Sequence, residues 1–326
     1  MEWYFILLIV LGGILVLCGL YVIFSLVVAN ALLKAATRPV AHTFDEAREW
    51  QGKYEHWDFT DYDKVWRKEP FELDGTRGKL RGDVIYNDAA KNDGRPKVAV
   101  ICHGHTWNRL NSLKYANIFY SKGYNLVIYD HAYFGKSDGT HTTVGDKERY
   151  DLSTVLDYTR KLFGEQAIVA LHGESMGAAT VLLELGVRSD IDFVVADCPF
   201  SNTMSYYREL CTHLTHLPSF PIVDFANVLA KRKYGYDFTK VNPIDAVSSS
   251  KAPICFIHGD ADSFIAAHHS EDMCKVSANP LSEIHLFNGA EHACSHCTDK
   301  DKYITVVSAF IDKVESHLAT DTSRVA

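Results

Sequence analysis

The 27 residues from Trp3 to Ala29 contain no Asp, Glu, Lys or Arg. A helix on the surface of a soluble domain needs a polar face, and this run offers none. It exceeds the ~20 apolar residues that suffice to cross a bilayer. Two other readings fit less well. A core helix would rarely lack a polar face over such a length. A cleaved secretory signal has an apolar region of about 7–15 residues behind a basic start, whereas this chain opens Met-Glu with no basic residue ahead of the run. Residues 1–33 are therefore expected to form a retained, single-pass membrane anchor. Lys34 and Arg38 follow it, and Glu2 is the only charged side chain before it. The excess of basic residues places the rest of the chain on the cytoplasmic face.

Behind the anchor the chain has an ordinary globular composition. Of 326 residues, 47% are apolar and 23% charged, which excludes a disordered tail, a collagen-like repeat and a disulfide-dense mini-domain. The 33 basic and 41 acidic residues leave a net charge of −8. Nucleic-acid binding needs basic surface to neutralise phosphates, so no such partner is expected. Cys18 lies in the anchor, and the other cysteines are Cys102, Cys198, Cys211, Cys255, Cys274, Cys294 and Cys297. Their number is odd and several sit in apolar runs, where a free thiol behaves as a small hydrophobe.

Residues 34–69 read as a polar, aromatic-studded connector with helical stretches. From residue 70 to 326, short β-branched runs alternate with longer helical ones. Strands are predicted at Leu80–Tyr86, Val98–Cys102, Leu126–Asp130, Ile168–His172, Phe193–Asp197, Ile254–His258 and Ile284–Phe287. Helices are predicted near Leu110–Lys122, Gly145–Phe163, Ser175–Leu185, Ala266–Lys275 and Asp301–His317. Unbroken apolar strands alternating with helices indicate an α/β fold, its mostly parallel sheet covered on both faces. Residues 201–241 break the alternation with two apolar helical runs around Leu217-Pro218-Ser219-Phe220-Pro221. Because this insertion follows a strand end, where α/β sheets bind ligands, it is expected to cap a pocket.

The strongest chemical signal is Gly173-Glu174-Ser175-Met176-Gly177 between a predicted strand and a predicted helix. A serine hydroxyl is a poor nucleophile unless it is held exposed beside a base. A sharp strand-to-helix turn does this, and small residues two positions to either side relieve its crowding. The helix N-terminus adds N–H donors for developing negative charge. Asp262, after the strand ending at His258, and His292, after the strand ending at Phe287, complete the order Ser, acid, His. His292 would take the Ser175 proton and return it to the leaving group, while Asp262 would fix the imidazole tautomer. Gly104, in the turn His103-Gly104-His105-Thr106 after Cys102, permits a tight bend that aims N–H groups at the pocket. The expected oxyanion donors are the N–H groups of Met176 and His105, with Thr106 as alternative. Asp260 is a second candidate for the acid.

On these residues the stretch from Val98 to His317 resembles the α/β hydrolases of the serine aminopeptidase-like and prolyl-oligopeptidase-like branch. The carriers are His103-Gly104, Asp130 with Gly135 and Ser137, the Gly173–Gly177 turn, His258-Gly259 with Asp262, and His292-Ala293 with Ser295. Leu110–Tyr115 and Asp197–Ser201 resemble segments of membrane-anchored, uncharacterised bacterial members. The resemblance implies Ser175 as nucleophile, Asp262 as acid and His292 as base, and its spacing from His258-Gly259 favours Asp262 over Asp260. The stretch His292–Cys297 departs from the pattern in its wealth of Cys and His.

His292, Cys294, His296 and Cys297 could also be read as metal ligands. Structural zinc draws on separated ligand pairs, whereas these share one short loop, so no metal is expected. The triad needs no organic cofactor. The expected function is hydrolysis of a carboxylic ester of short to medium acyl chain through an acyl-enzyme. A peptide-like amide substrate and a non-catalytic binding protein on the same fold are the alternatives. Thr106, Glu174, Phe200 and Tyr207 are the expected substrate contacts, the last amid a cap rich in Tyr and Phe.

Overall fold

The computed structural model describes residues 2–88 and 95–320. The charge-free run lies within one helix, α1 (Glu2–Thr37), of 36 residues. At 1.5 Å per residue it is about 54 Å long, well beyond the ~30 Å of a bilayer core. Every residue from 3 to 24 is exposed. Ser25, Ala29, Leu33 and Thr37, one turn apart, are buried. The first two-thirds of α1 is thus long and apolar enough to span a membrane, and the last third is packed against protein.

The segment after α1 is folded onto the body. Helix α2 (Phe44–Trp50) opens with a reciprocal Thr43–Glu46 cap. Single π-turns follow at Gln51–Glu55 and Asp61–Val65. Ala47, Tyr62 and Trp66 enter the main core, so residues 44–66 belong to the domain they precede.

All seven predicted strands form. With β1 (Arg67–Gly75) they are β2 (Gly78–Tyr86), β3 (Lys97–Cys102), β4 (Asn125–Asp130), β5 (Ile168–Glu174), β6 (Phe193–Asp197), β7 (Ile254–Gly259) and β8 (Glu283–Phe287). The order across the eight-stranded sheet is β1-β2-β4-β3-β5-β6-β7-β8. The pairs β1–β2 and β2–β4 are antiparallel, and all later pairs are parallel. Strand β1 is the one strand of this sheet that hydrophobic patterning misses. Its charged residues and Pro70 suit a solvent-facing edge, where one side of the backbone needs no ladder partner.

The central strands are apolar throughout because both faces are covered. Ala99 and Ile101 of β3 face one core, and Val98, Val100 and Cys102 face the other. Helices α3 (Leu113–Ser121), α4 (Glu148–Phe163) and α5 (Met176–Glu184) follow in sequence, with α3 on the first face and α4 and α5 on the second. The insertion after β6 forms α6 (Thr203–Thr215) and α7 (Ile222–Tyr234). Then come α8 (Pro243–Ser249), α9 (His268–Val276), the short α10 (Ser295–Thr298) and α11 (Lys300–Thr320), which lies beside α3. A third apolar cluster joins Ala29 and Leu33 of α1, Met176 of α5, Phe200, and Ile222 and Ala226 of α7.

Candidate active site

The turn from β5 into α5 is sharp because its glycines let three pieces of backbone meet. A Cβ on Gly177 would sit 2.3 Å from the Cys102 carbonyl oxygen, and one on Gly173 would sit 2.3 Å from that of Gly177. Between them Ser175 adopts φ 55°, ψ −114°, a conformation costly for a residue with a side chain and sustained only by its surroundings. The Ser175 N–H donates to Asp197 O at 2.8 Å, and its carbonyl accepts from Ala179 at 2.9 Å.

The ends of β7 and β8 converge on the same point. Gly259 allows it, since a Cβ there would meet Ala290 O at 2.1 Å. Asp262 Oδ1 accepts from the N–H groups of Phe264 and Ile265 at 2.9 and 2.8 Å. Its Oδ2 lies 2.6 Å from His292 Nδ1. Burial alone would raise Asp262, but hydrogen bonds from His258 and His292 outweigh it and hold the carboxyl well below its usual range. An ionised carboxylate only accepts, so the proton sits on His292 Nδ1. Nε2, the other ring nitrogen, faces Ser175 Oγ at 2.8 Å. Asp260 is occupied elsewhere, accepting from the Gly289 N–H at 2.6 Å.

His258 is a contributor that sequence reasoning uses only as a spacing marker. Its Nε2 faces Ile265 O at 2.8 Å and Asp262 Oδ2 at 3.3 Å, and its Nδ1 meets Ser270 Oγ at 2.7 Å. It ties the acid loop to α9. His103 does comparable work at the end of β3, with Nδ1 2.7 Å from Gly104 O and Nε2 accepting from the His131 N–H at 3.0 Å. Burial lowers it to about 4, so it is a neutral strut.

Beside Ser175 lies a cavity of about 250 Å³. Of the sequence-predicted residues, His105, Thr106, Ser175, Met176, Phe200 and Tyr207 line it. Among the described residues, no acceptor takes the backbone N–H of His105 or Met176. Tyr206, Leu210, Leu214 and Val223 of the insertion also line the cavity. Two groups of lining residues are new: Phe264 and Ile265 behind the acid, and Leu32, Leu33, Ala36 and Pro39 from the end of α1.

Glu174 does not line the cavity. Its carboxylate turns into the protein to meet Lys114 Nζ at 2.7 Å, Tyr115 OH at 2.6 Å and Asn111 Nδ2 at 3.0 Å. Lys114 also pairs with Glu55 at 3.2 Å. Burial opposes the Lys114 charge, but Glu174 and Glu55 prevail and hold its pKa above the ordinary range. Burial likewise opposes Glu55, which Lys114 and His296 hold at about 2. His296 points to Glu55 at 2.6 Å while His292 points to Asp262, so these loop neighbours serve different partners.

The strand order, the strained serine at the β5–α5 turn, and an acid and a histidine at the ends of β7 and β8 define an α/β hydrolase. The family model for serine aminopeptidase, S33, matches residues 94–233, and that for the dienelactone hydrolase family matches residues 229–315. The uncharacterized protein YqkD of Bacillus subtilis (strain 168) is 34% identical over 223 residues, which is 67% of this chain and 72% of that one. Among solved structures, the Pyrococcus furiosus esterase Pf2001 superposes with a TM-score of 0.63 at 22% identity, covering 79% of this chain and 96% of its own. Pyrococcus horikoshii acylaminoacyl peptidase gives 0.59 at 15% identity, covering 79% and 44%. The chain belongs to the serine aminopeptidase-like branch of the α/β-hydrolase superfamily.

Proposed function

We propose that the protein is a membrane-anchored serine hydrolase that cleaves carboxylic esters. The carrying observation is the hydrogen-bonded line Ser175–His292–Asp262, at 2.8 and 2.6 Å, opening on the capped cavity. In this reading Ser175 Oγ bonds to the acyl carbon and its proton passes to His292 Nε2. Asp262 stabilises the imidazolium and the N–H groups of His105 and Met176 hold the oxyanion. The ester C–O bond then breaks, and the proton on His292 leaves with the alcohol. Water attacks the acyl-enzyme, gives a proton to His292, and releases the carboxylic acid as Ser175 recovers its own. Thr106, Phe200 and Tyr207 would contact the acyl group.

An ester fits this cavity better than a free-amine peptide. No Asp or Glu is among its described lining residues, so an α-ammonium group would be desolvated without a counter-charge. Anchoring through residues 3–29, with the body on the cytoplasmic face, rests on the length and apolarity of α1 and on Lys34 and Arg38 beyond the run. The test is labelling with a fluorophosphonate probe, paired with turnover of p-nitrophenyl esters and aminoacyl-p-nitroanilides. Wild-type protein should label, Ser175→Ala should not, and esters should turn over faster. Equal labelling of both proteins refutes the mechanism, and faster anilide turnover refutes the substrate class.

A further inference from the structure

The end of α1 is built into the cavity. Leu32, Leu33, Ala36 and Pro39 form one wall of the space that Ser175 opens on. Hydrogen bonds fix this wall to the turn carrying the oxyanion donor. His105 Nε2 meets Ala36 O at 2.9 Å, the His42 N–H donates to Thr106 O at 2.7 Å, and Tyr133 OH donates to Pro39 O at 2.8 Å. The Thr142 N–H donates to Thr37 O at 2.9 Å. A helix serving only as a tether needs none of these bonds, since a flexible linker would hold the domain at the membrane equally well.

The same helix sets where the cavity lies. α7 runs alongside α1, with Tyr21 OH bonding to Phe220 O at 3.3 Å near one end and Lys233 Nζ bonding to Asn30 Oδ1 at 2.8 Å near the other. About 20 apolar residues cross a bilayer. A span starting at Trp3 therefore ends close to Tyr21, which puts the α6–α7 tip at the membrane surface. That tip is apolar and open, with Phe220 70% and Leu214 55% exposed. Leu214 also lines the cavity. One apolar space thus reaches from Ser175 to a tip held beside the membrane-spanning stretch.

We infer that the substrate is a long-chain acyl ester dissolved in the bilayer, whose chain reaches Ser175 from the membrane between the end of α1 and the α6–α7 tip. This rests on the ester-hydrolase reading and extends it. The anchor is then part of the acyl-binding site, and the preferred chain is longer than the short to medium length expected from sequence.

The test uses the full-length protein in vesicles of diether phosphatidylcholine, which carries no carboxylic ester to compete. With p-nitrophenyl acetate and p-nitrophenyl palmitate, kcat/KM should favour palmitate at least tenfold. Ala36→Trp, which fills the α1 wall, should lower that ratio at least tenfold. Wild-type protein is also treated with a hexadecyl fluorophosphonate bearing a terminal diazirine. After irradiation, cross-links should fall in residues 32–39 or 207–226. Labelling of Ser175 with acetate turnover but no gain from chain length overturns this inference and leaves the ester-hydrolase reading standing. So do cross-links confined to other segments. No labelling and no turnover of either ester overturns both.

Discussion

Lys114 is a buried cation whose removal has a calculable cost. Its side chain is 1% exposed and lies between Glu174 at 2.7 Å and Glu55 at 3.2 Å, both equally shielded. Glu174 immediately precedes Ser175, so this pairing supports the turn from below. Lys114→Met keeps a long unbranched side chain but leaves two buried carboxylates facing a neutral group. Glu174 keeps hydrogen bonds from Tyr115 and Asn111, and Glu55 keeps His296, so neither carboxylate is wholly abandoned. Removing one partner of a buried pair costs about 3–5 kcal/mol, mainly as the penalty of the charge left behind. At roughly 2–4 °C per kcal/mol for a large domain, the unfolding midpoint should fall by roughly 6–20 °C. The assay is thermal unfolding of the full-length protein in detergent micelles, followed by tryptophan fluorescence. Adding Glu174→Gln to Lys114→Met removes one orphaned charge and should recover about half of the loss, since the two sites share one network. A fall of under 3 °C in the single variant, or a further fall in the double variant, would refute the reasoning. Either result would mean that the two carboxylates do not depend on this cation.

Two further outcomes follow from titrating groups. Asp262→Asn keeps the shape of the acid but reverses the hydrogen-bond demand on His292 Nδ1, favouring the tautomer that cannot accept from Ser175. The rate of fluorophosphonate labelling should fall by about 10⁴-fold, and a loss under tenfold would remove Asp262 from the mechanism. Glu184, at the end of α5, is pushed up by burial from 4.5 to about 7, with only a partial offset from the Ser153 hydroxyl. A raised carboxyl contributes stability that is complete below its unfolded value near 4.5 and is lost as pH rises through about 7. At ~1.4 kcal/mol per pH unit this amounts to something on the order of 3 kcal/mol. Glu184→Gln should therefore unfold several degrees above wild type at pH 8.5, with the gap narrowing at pH 5.5. An equal gap at both pH values would show that Glu184 does not titrate in this window.

Much of the site is legible in the sequence because its parts are local. The Gly173–Gly177 turn announces itself through glycines that a close backbone approach requires. The strand before Asp262 is apolar on both faces, and the one before His292 keeps the short apolar run Ile284–Phe287 around His285, so their ends, and hence the residues just past them, can be found without a structure. Glu174 shows where such reading stops. Its position beside Ser175 suits a pocket contact as well as an internal one, and the side chain that decides the matter, Lys114, lies 60 positions away. β1 is lost for a related reason. An exposed edge strand carries charge and proline by design, which erases the alternation that identifies inner strands. The end of α1 is the more instructive case. Leu32, Leu33 and Ala36 continue an apolar run, and lipid and an acyl-binding wall select the same side chains. Hydropathy cannot separate a residue that faces the bilayer from one that faces a substrate drawn out of it. What does separate them is the four-residue recurrence of Ser25, Ala29, Leu33 and Thr37, whose small and polar members have no reason to recur on a helix facing only lipid. That spacing marks a face held against protein, and its Ala29 and Leu33 pack in one cluster with Ile222 and Ala226 of α7.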